Sequence, residues 1–468
     1  LLNKNPASLK NRMNESLKEI KGMVVNKTIG TTPNLFLLCA EGHYLIHQDY
    51  GDYELGQMLS VEGVVKNHVI QATKIEVVKD TRLSSAIHAI LEKKTTPIKK
   101  SPLIDHPVSK ALFKDFEAAA RLVAEKVFTY TPVLVRYDDD ADGITSAVEL
   151  KQGVLDFIAR HELTLPPSFI KFTKDEAIYE LKTAQEDCEW AQGFAKKPLL
   201  VLLDHGANTE SIPALTQAKS WFDIVIVDHH PPNLEAAALA NLFISPFTKD
   251  SSVIASSFCT GLLSYEIASR IGQVDETLAW IAMHADHSRF RKGEWPQVLA
   301  LEFVQDSKKN PPFEDFENVL SGKGFELAYK KALAKIRLVM HESVHHVKIH
   351  SAGTALIQVI NLSKLVKKNS FPSKSRTINE LHRAFEEKNP SLACITLGYA
   401  DNSLSFRASD SANSAGFKAN ALITQLKQSH SYAITSGGGH EQAASMRFKP
   451  EFHDTVLKTT LDEVKKFF

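Results

Sequence analysis

The stretch Val133–Ala147, VLVRYDDDADGITSA, constrains the fold of this chain more than any other. Mostly apolar or β-branched residues run straight into Asp138, Asp140 and Asp142, acids at every second position, followed by Gly143 and a helix-starting Thr145-Ser146. A short apolar run of this kind reads as a buried parallel strand. In an open α/β sheet, ligands bind beyond the carboxyl ends of such strands. Three carboxylates there cannot all stay ionised without a counter-charge, because neighbouring like charges raise one another's pKa. A hard divalent cation with oxygen ligands resolves the conflict. Taken alone, the run also fits a solvated acidic turn.

Two similar strand ends weigh against that turn. Leu199–Gly206, LLVLLDHG, ends in Asp204, His205 and Gly206. Ile224–Pro232, IVIVDHHPP, ends in Asp228, His229 and His230. A helical stretch, IAMHADHSRF, then supplies Asp286. Several aspartates with one or two imidazoles suit a two-metal hydrolytic centre, with ions roughly 3.5–4 Å apart.

In order and spacing, DADGITSA, DHG, VDHHPP and Asp286 resemble the four motifs of the DHH phosphoesterases. LSFRAS (Leu404–Ser409) and SGGGHEQAAS (Ser436–Ser445) resemble the companion DHHA1 domain. The resemblance covers roughly residues 105–468 and is strongest to the archaeal RecJ-like single-strand exonucleases. It implies a catalytic set of Asp138, Asp140, Asp142, Asp204, Asp228, His229, His230 and Asp286. The carboxylates and His229 would ligate two Mn²⁺ or Mg²⁺ ions, and His230 would ligate one or orient a ligand. Asp138 stands where some family members have His and the bacterial RecJ-like enzymes have Asp. His205 is expected as a phosphate contact or as support for a ligand. Arg407 implies a bidentate phosphate clamp, with His440 at the same phosphate. Gly437, Gly438 and Gly439 let the backbone approach a phosphate and form an anion-binding nest. Arg289, with Arg291, is a further candidate phosphate ligand.

The 468-residue length predicts about three domains. Residues 20–79 hold five short β-rich segments separated by turn residues, which predicts a small barrel of the oligonucleotide-binding (OB) type. Such barrels track single strands on aromatic platforms, and Phe36, Tyr44, Tyr50 and Tyr53 are the candidates, although Phe36 better suits filling the barrel. A basic linker comes next, with Lys93, Lys94, Lys99 and Lys100. Strand–helix alternation over 105–325 predicts a mostly parallel sheet flanked by helices, the DHH domain. A connecting helix over 326–349 and a smaller α/β DHHA1 substrate-binding domain over 350–468 complete the expected architecture. Residues 1–19 read as a frayed helix. His341–His345 fits the zinc-protease pattern HExxH, but in a chain with 19 histidines and another hydrolytic centre it is set aside.

Composition is that of an ordinary globular protein, with 43% hydrophobic and 24% charged residues. The net charge of +0 argues neither for nor against nucleic acid, because a basic groove can sit on a neutral chain. The four cysteines form no CxxC pair and are expected as buried thiols. No apolar run is long enough to span a membrane and no signal peptide is seen, so a cytoplasmic protein without membrane partners is expected. The chain begins Leu-Leu rather than Met, as a fragment does, and some fuller relatives carry a zinc-binding module upstream.

The expected activity is metal-dependent exonuclease hydrolysis of single-stranded DNA, with RNA as a second substrate, in replication or repair beside a helicase partner. Two alternatives stand. One is a phosphodiesterase of short oligonucleotides, dinucleotides or cyclic dinucleotides. The other is a non-catalytic accessory protein of a replication helicase, which the intact acids and histidines disfavour. The RecJ-like resemblance points to 5′→3′ polarity, although archaeal relatives differ.

Overall fold

Alternating apolar residues between residues 17 and 77 close five strands into a barrel: β1 (Leu17–Lys27), β2 (Asn34–Cys39), β3 (Gly42–His47), β4 (Met58–Lys66) and β5 (Val69–Val77). Their order, β1-β2-β3-β5-β4, with β3 parallel to β5, is that of an OB-like barrel. The computed structural model describes residues 17–29, 34–47, 53–367 and 370–468. Residues 17–19, expected in a frayed helix, begin β1, where their backbone pairs with β4. The rest of that expected helix, and Tyr50, lie outside the described residues. The chain divides into two compact units, Leu1–Val298 and Leu299–Phe468.

The barrel belongs to the first unit and is fastened to the α/β domain of the same unit. Strand periodicity turns Leu35, Leu37 and Cys39 into its core and leaves Phe36 on the outer face of β2. Phe36 is only 2% exposed. It stacks on Tyr130, with ring centroids 4.8 Å apart, and lies 5.4 Å from Phe169. His43 on β3 reaches the Phe128 carbonyl oxygen at 2.8 Å, and the Ile29 N–H donates to the Gly193 carbonyl at 2.9 Å. Phe36 is therefore a docking residue and is not available as a stacking platform.

After the barrel, α1 (Thr81–Lys94) is capped by Asp80, and the basic linker is laid down on a buried ion pair. Arg270 pairs with Glu266 at 2.6 Å and donates to the Lys100 carbonyl at 2.9 Å. Apolar residues at three- and four-residue intervals from Val108 to Phe128 predict one amphipathic helix; it breaks at Leu112, and its main part is α2 (Phe113–Phe128). Then come β6 (Val133–Asp138), α3 (Ala141–Arg160), β7 (Ile170–Asp175), α4 (Leu181–Ala191), β8 (Leu199–Leu203), α5 (Ile212–Ala218), β9 (Asp223–Val227) and β10 (Leu242–Ile244). All pairings in the sheet β10-β9-β8-β6-β7 are parallel. Every residue of β8 is buried, as a strand covered on both faces requires. The run SSFCTGLLSYEIASRIG (Ser256–Gly272) reads as one helix ending at a Gly, but the helix starts four residues later, as α6 (Thr260–Ile271), because a 3₁₀ turn takes up Ala255–Phe258. The helix α7 (Thr277–Ala285) comes after it.

The barrel's partners Phe128, Tyr130, Phe169 and Gly193 all precede strands β6, β7 and β8. It therefore docks at the amino edge of the sheet, whereas Asp138, Asp204 and Asp228 stand at the carboxyl edge. The six residues of β6 separate the two edges by about 20 Å.

The second unit contains α8 (Phe325–Ser343), β11 (Val347–Ala352), β12 (Ala355–Asn361), α9 (Lys374–Lys388), β13 (Ala393–Ala400), β14 (Ser403–Ala408), α10 (Ala419–Ser429), β15 (Ile434–Gly439), β16 (Ala443–Phe448) and α11 (His453–Lys465). Its mixed sheet runs β11-β12-β13-β14-β16-β15 over a core that includes Ile357, Ile395, Phe406 and Phe417. Strands β11, β15 and β16 were not anticipated, because glycine and polar residues hide their period. All four cysteines are buried free thiols. Among the described residues, no helix is long and apolar enough to cross a membrane.

Candidate metal centre

Parallel register brings the acids together. Tyr137 pairs with Leu203 and Leu203 with Val227, so Asp138, Asp204 and Asp228 are the next residues on three adjacent strands. The chain turns at once after β6. Asp140 caps α3, accepting from the Gly143 N–H at 2.9 Å, and Asp142 lies in the first turn, almost fully buried. Asp204 adopts a left-handed φ of 68°, which ends β8 sharply. Asp286 arrives from the C-terminal end of α7.

Three overlapping sets of ligand atoms result. The donor atoms of Asp138, Asp140 and Asp204 lie within 4.8 Å of one another, as do those of Asp204, His229 and His230, and those of Asp142, His229 and Asp286. Asp204 and His229 are each common to two sets. His229 Nε2 is 3.4 Å from Asp204 Oδ1 and 3.9 Å from Asp142 Oδ2. Its Nδ1 is 3.1 Å from the Ala255 carbonyl and 3.5 Å from Asp286 Oδ2. Asp228 joins none of the three sets. Its Oδ1 accepts from the His230 backbone N–H at 3.0 Å and meets the His230 ring at 2.9 Å.

Electrostatics reflect the crowding. Burial, then Asp140, pushes Asp138 up to about 8. Burial raises Asp142 to about 6 and Asp286 to about 7, with His229 pulling both down. Burial and its neighbours Asp142 and Asp140 hold Asp204 well above the ordinary carboxylate range. Burial would likewise favour the neutral acid at Asp228, but the hydrogen bonds and charge of His230 keep it low. His230 rises to about 9, because Asp228 outweighs the desolvation of the ring. Several of these acids can ionise together only with added positive charge, and oxygen donors with imidazoles are the ligands hard or borderline divalent ions take.

The other expected residues fall elsewhere. His205 is 1% exposed, inside the domain, where burial pushes its pKa down to about 4. So enclosed a ring suits the expected support of a ligand better than a direct phosphate contact. Arg289 and Arg291 are exposed beyond Asp286. Arg289 leans on His106 at 2.9 Å, and Arg291 donates to the His287 carbonyl at 2.9 Å. His341 lies within α8, but the helix ends at Ser343, so His345 is beyond it. Neither belongs to a metal-capable group among the described residues.

In the second unit, Arg407 is half-buried on β14. Its guanidinium donates to Asn379 Oδ1 and, at 3.2 Å, to Ser375 Oγ, both on α9. Among the described residues no carboxylate is paired with it, and burial alone lowers its pKa to about 10. Arg376, one residue after Ser375, is by contrast bound by Glu302 and Glu380. Gly437, Gly438 and Gly439 lie in edge strand β15, not in a loop, and only Gly439 has positive φ, at 132°. Nothing stands within 4 Å of where a Cβ of Gly438 would be. His440 comes just after the strand and is exposed.

Sequence reasoning missed the pair Thr260 and Gly261 at the start of α6, whose backbone N–H groups hold Asp142. The signal for that pair was the hydroxyl and glycine in SSFCTG, which by itself reads only as a helix start.

Residues 132–285 match the model described as DHH family, N-terminal domain, so this region carries a DHH-family domain. An uncharacterized protein of Methanocaldococcus jannaschii is 23% identical over 472 aligned positions, covering 88% of this chain. The chain spans about 62% of that relative's length. A solved structure, the DHH domain of a protein described as a member of a family of ribosomal proteins, superposes with a TM-score of 0.70 at 21% identity, covering 82% of this chain and 97% of that one. It shows that the fold is shared. A crystal structure of exonuclease RecJ bound to manganese aligns with a TM-score of 0.47 at 14% identity, over 76% of this chain and 95% of that one.

Proposed function

We propose that this chain is a hydrolase of phosphodiester bonds in single-stranded nucleic acid, working from a strand end, with DNA as the main substrate and RNA as a second. The observation that carries this reading is the sharing of Asp204 and His229 between ligand sets. The two oxygens of Asp204 can lie between adjacent cations, while His229, with Nδ1 on the Ala255 carbonyl, offers the Nε2 lone pair to one of them. Asp138, Asp140, Asp142, Asp204, His229 and Asp286 would hold two Mn²⁺ or Mg²⁺ ions, with Asp228 fixing His230 beside them. When bound, such ions activate water near neutral pH and neutralise charge on the phosphate. Among the chain's own residues, His229 pulls Asp142 and Asp286 back toward ionisation, and the Ala255 carbonyl and Asp228 orient the two imidazoles. Residues 350–468 would act as the substrate-binding domain. There Arg407, lacking a carboxylate partner, would take a substrate phosphate, and the β15 glycines with His440 would let the strand lie close. A role in DNA replication or repair beside a helicase belongs to the same proposal.

A specific observation favours a second reading, a phosphodiesterase of short oligonucleotides or dinucleotides. The barrel docks at the sheet edge away from the acids, and its Phe36 is spent on docking. Length dependence separates the two readings. End-labelled DNA and RNA strands, from dimers to about 30-mers, are incubated with Mn²⁺ or chelator, beside Asp140→Ala and Asp228→Ala. Stepwise shortening of long strands, only with metal and only in the wild type, supports the exonuclease. Cleavage confined to dimers through pentamers supports the second reading. Strand binding without cleavage in any arm sinks both.

A further inference from the structure

Asp142 and Asp204 reach the centre from different strand ends, yet one short segment holds both. Asp142 Oδ2 accepts from the Thr260 N–H at 2.7 Å, and Asp142 Oδ1 accepts from the Gly261 N–H at 2.7 Å. The Thr260 hydroxyl donates to Asp204 Oδ1 at 2.9 Å. Thr260 itself is fully buried. The first residues of the twelve-residue α6 thus grip a carboxylate from α3 and another from the end of β8.

The arrangement differs from ordinary helix capping. A hydroxyl that merely satisfied the helix start would accept from a backbone N–H of the first turn. Here those N–H groups are taken by Asp142, and the hydroxyl points its proton at Asp204. Gly261 is required for the approach. A Cβ there would lie 2.2 Å from Ala282 Cβ and 3.0 Å from Asp142 Oδ1. Each Asp142 oxygen spends one acceptor site on α6 and keeps another facing the cluster.

Resting on the divalent-cation reading of the centre, we infer that Thr260 is a positioning residue: its hydroxyl ties Asp204 to the segment whose backbone holds Asp142, and thereby sets the protein's affinity for the cation. Removing an outer partner of a metal ligand typically weakens metal binding by about 10- to 100-fold. Thr260→Val keeps the shape and the backbone donors but loses the hydroxyl, and Thr260→Ser keeps it. Mn²⁺ affinity is measured by titration calorimetry on the full chain, with circular dichroism melting as a check on folding. The inference expects Thr260→Val to bind Mn²⁺ about 10- to 100-fold more weakly and Thr260→Ser to stay within about 3-fold of the wild type. Val binding as tightly as the wild type, or Ser falling as far as Val, overturns it while leaving the metal reading intact. A wild type that binds no Mn²⁺ overturns the metal reading itself.

Discussion

His229 Nε2 lies 3.4 Å from Asp204 Oδ1, so the imidazole of one strand end faces the carboxylate of its neighbour. On the other side of the ring, Nδ1 is 3.1 Å from the Ala255 carbonyl. A proton held there by the carbonyl leaves the Nε2 lone pair turned to the acids, the usual arrangement of a ligating histidine.

From this pairing, His229→Ala and Asp204→Asn should each lower strand hydrolysis by more than about 100-fold, beyond the loss typical of outer partners. The same Asp204→Asn change should raise the melting temperature in chelator, because it removes an acid whose burial opposes its charge. Activity assays and melting curves on one preparation check both halves.

The barrel's attachment makes a separate prediction. Phe36 is enclosed by Tyr130 and Phe169, and Phe→Ala in such a setting costs about 3–5 kcal/mol. Phe36→Ala should lose stability of that order in urea unfolding while its single-strand affinity, measured where the variant is folded, stays within a few-fold of the wild type. Weakened binding at unchanged stability would return Phe36 to the role of a stacking platform.

His43 gives the stability a pH dependence. Burial, with His161, His68 and Lys94 nearby, pushes its pKa down to about 4, and Glu41 lines the same cavity. The fold prefers the neutral ring, so this contribution is complete above the ordinary histidine pKa of about 6.5 and is lost as pH falls from there through 4. The depression corresponds to about 3 kcal/mol. His205 and His382 are lowered in the same way, so His43→Gln should remove only its own share of the acid-side slope. Unfolding midpoints between about pH 7.5 and pH 4.5 test this.

Arg407 and Gly438 separate substrate contact from folding in the second unit. Open space surrounds the position of a Gly438 Cβ, so Gly438→Ala should fold and melt normally. If the backbone there lies against the strand, KM should rise several-fold. Arg407→Lys keeps a charge but loses the fork and should raise KM by about 10-fold. Unchanged KM in both would remove β14 and β15 from the substrate path.

Much of the centre was legible because apolar strands ending in acids carry their own geometry. Once β6, β8 and β9 are parallel and in register, Asp138, Asp204 and Asp228 must line up. The OB-like barrel was legible from turn spacing, and its strands fall on the five β-rich segments. The docking of Phe36 was not, because an outward aromatic on a strand reads the same whether water, nucleic acid or another domain covers it. Thr260 was hidden for another reason. Its role depends on α6 beginning four residues later than helical pattern implied, and a 3₁₀ turn set by tertiary packing decides that start. The triple glycine misled in shape, since glycines permissive of a nest are equally permissive of an edge strand.

Anomalous diffraction at the manganese edge from Mn²⁺-soaked crystals tests the central claim most directly. The account predicts two peaks roughly 3.5–4 Å apart, with Asp204 and His229 near both and Asp286 beside one. A single peak, or density away from Asp204, would contradict a two-cation centre built on these strand ends.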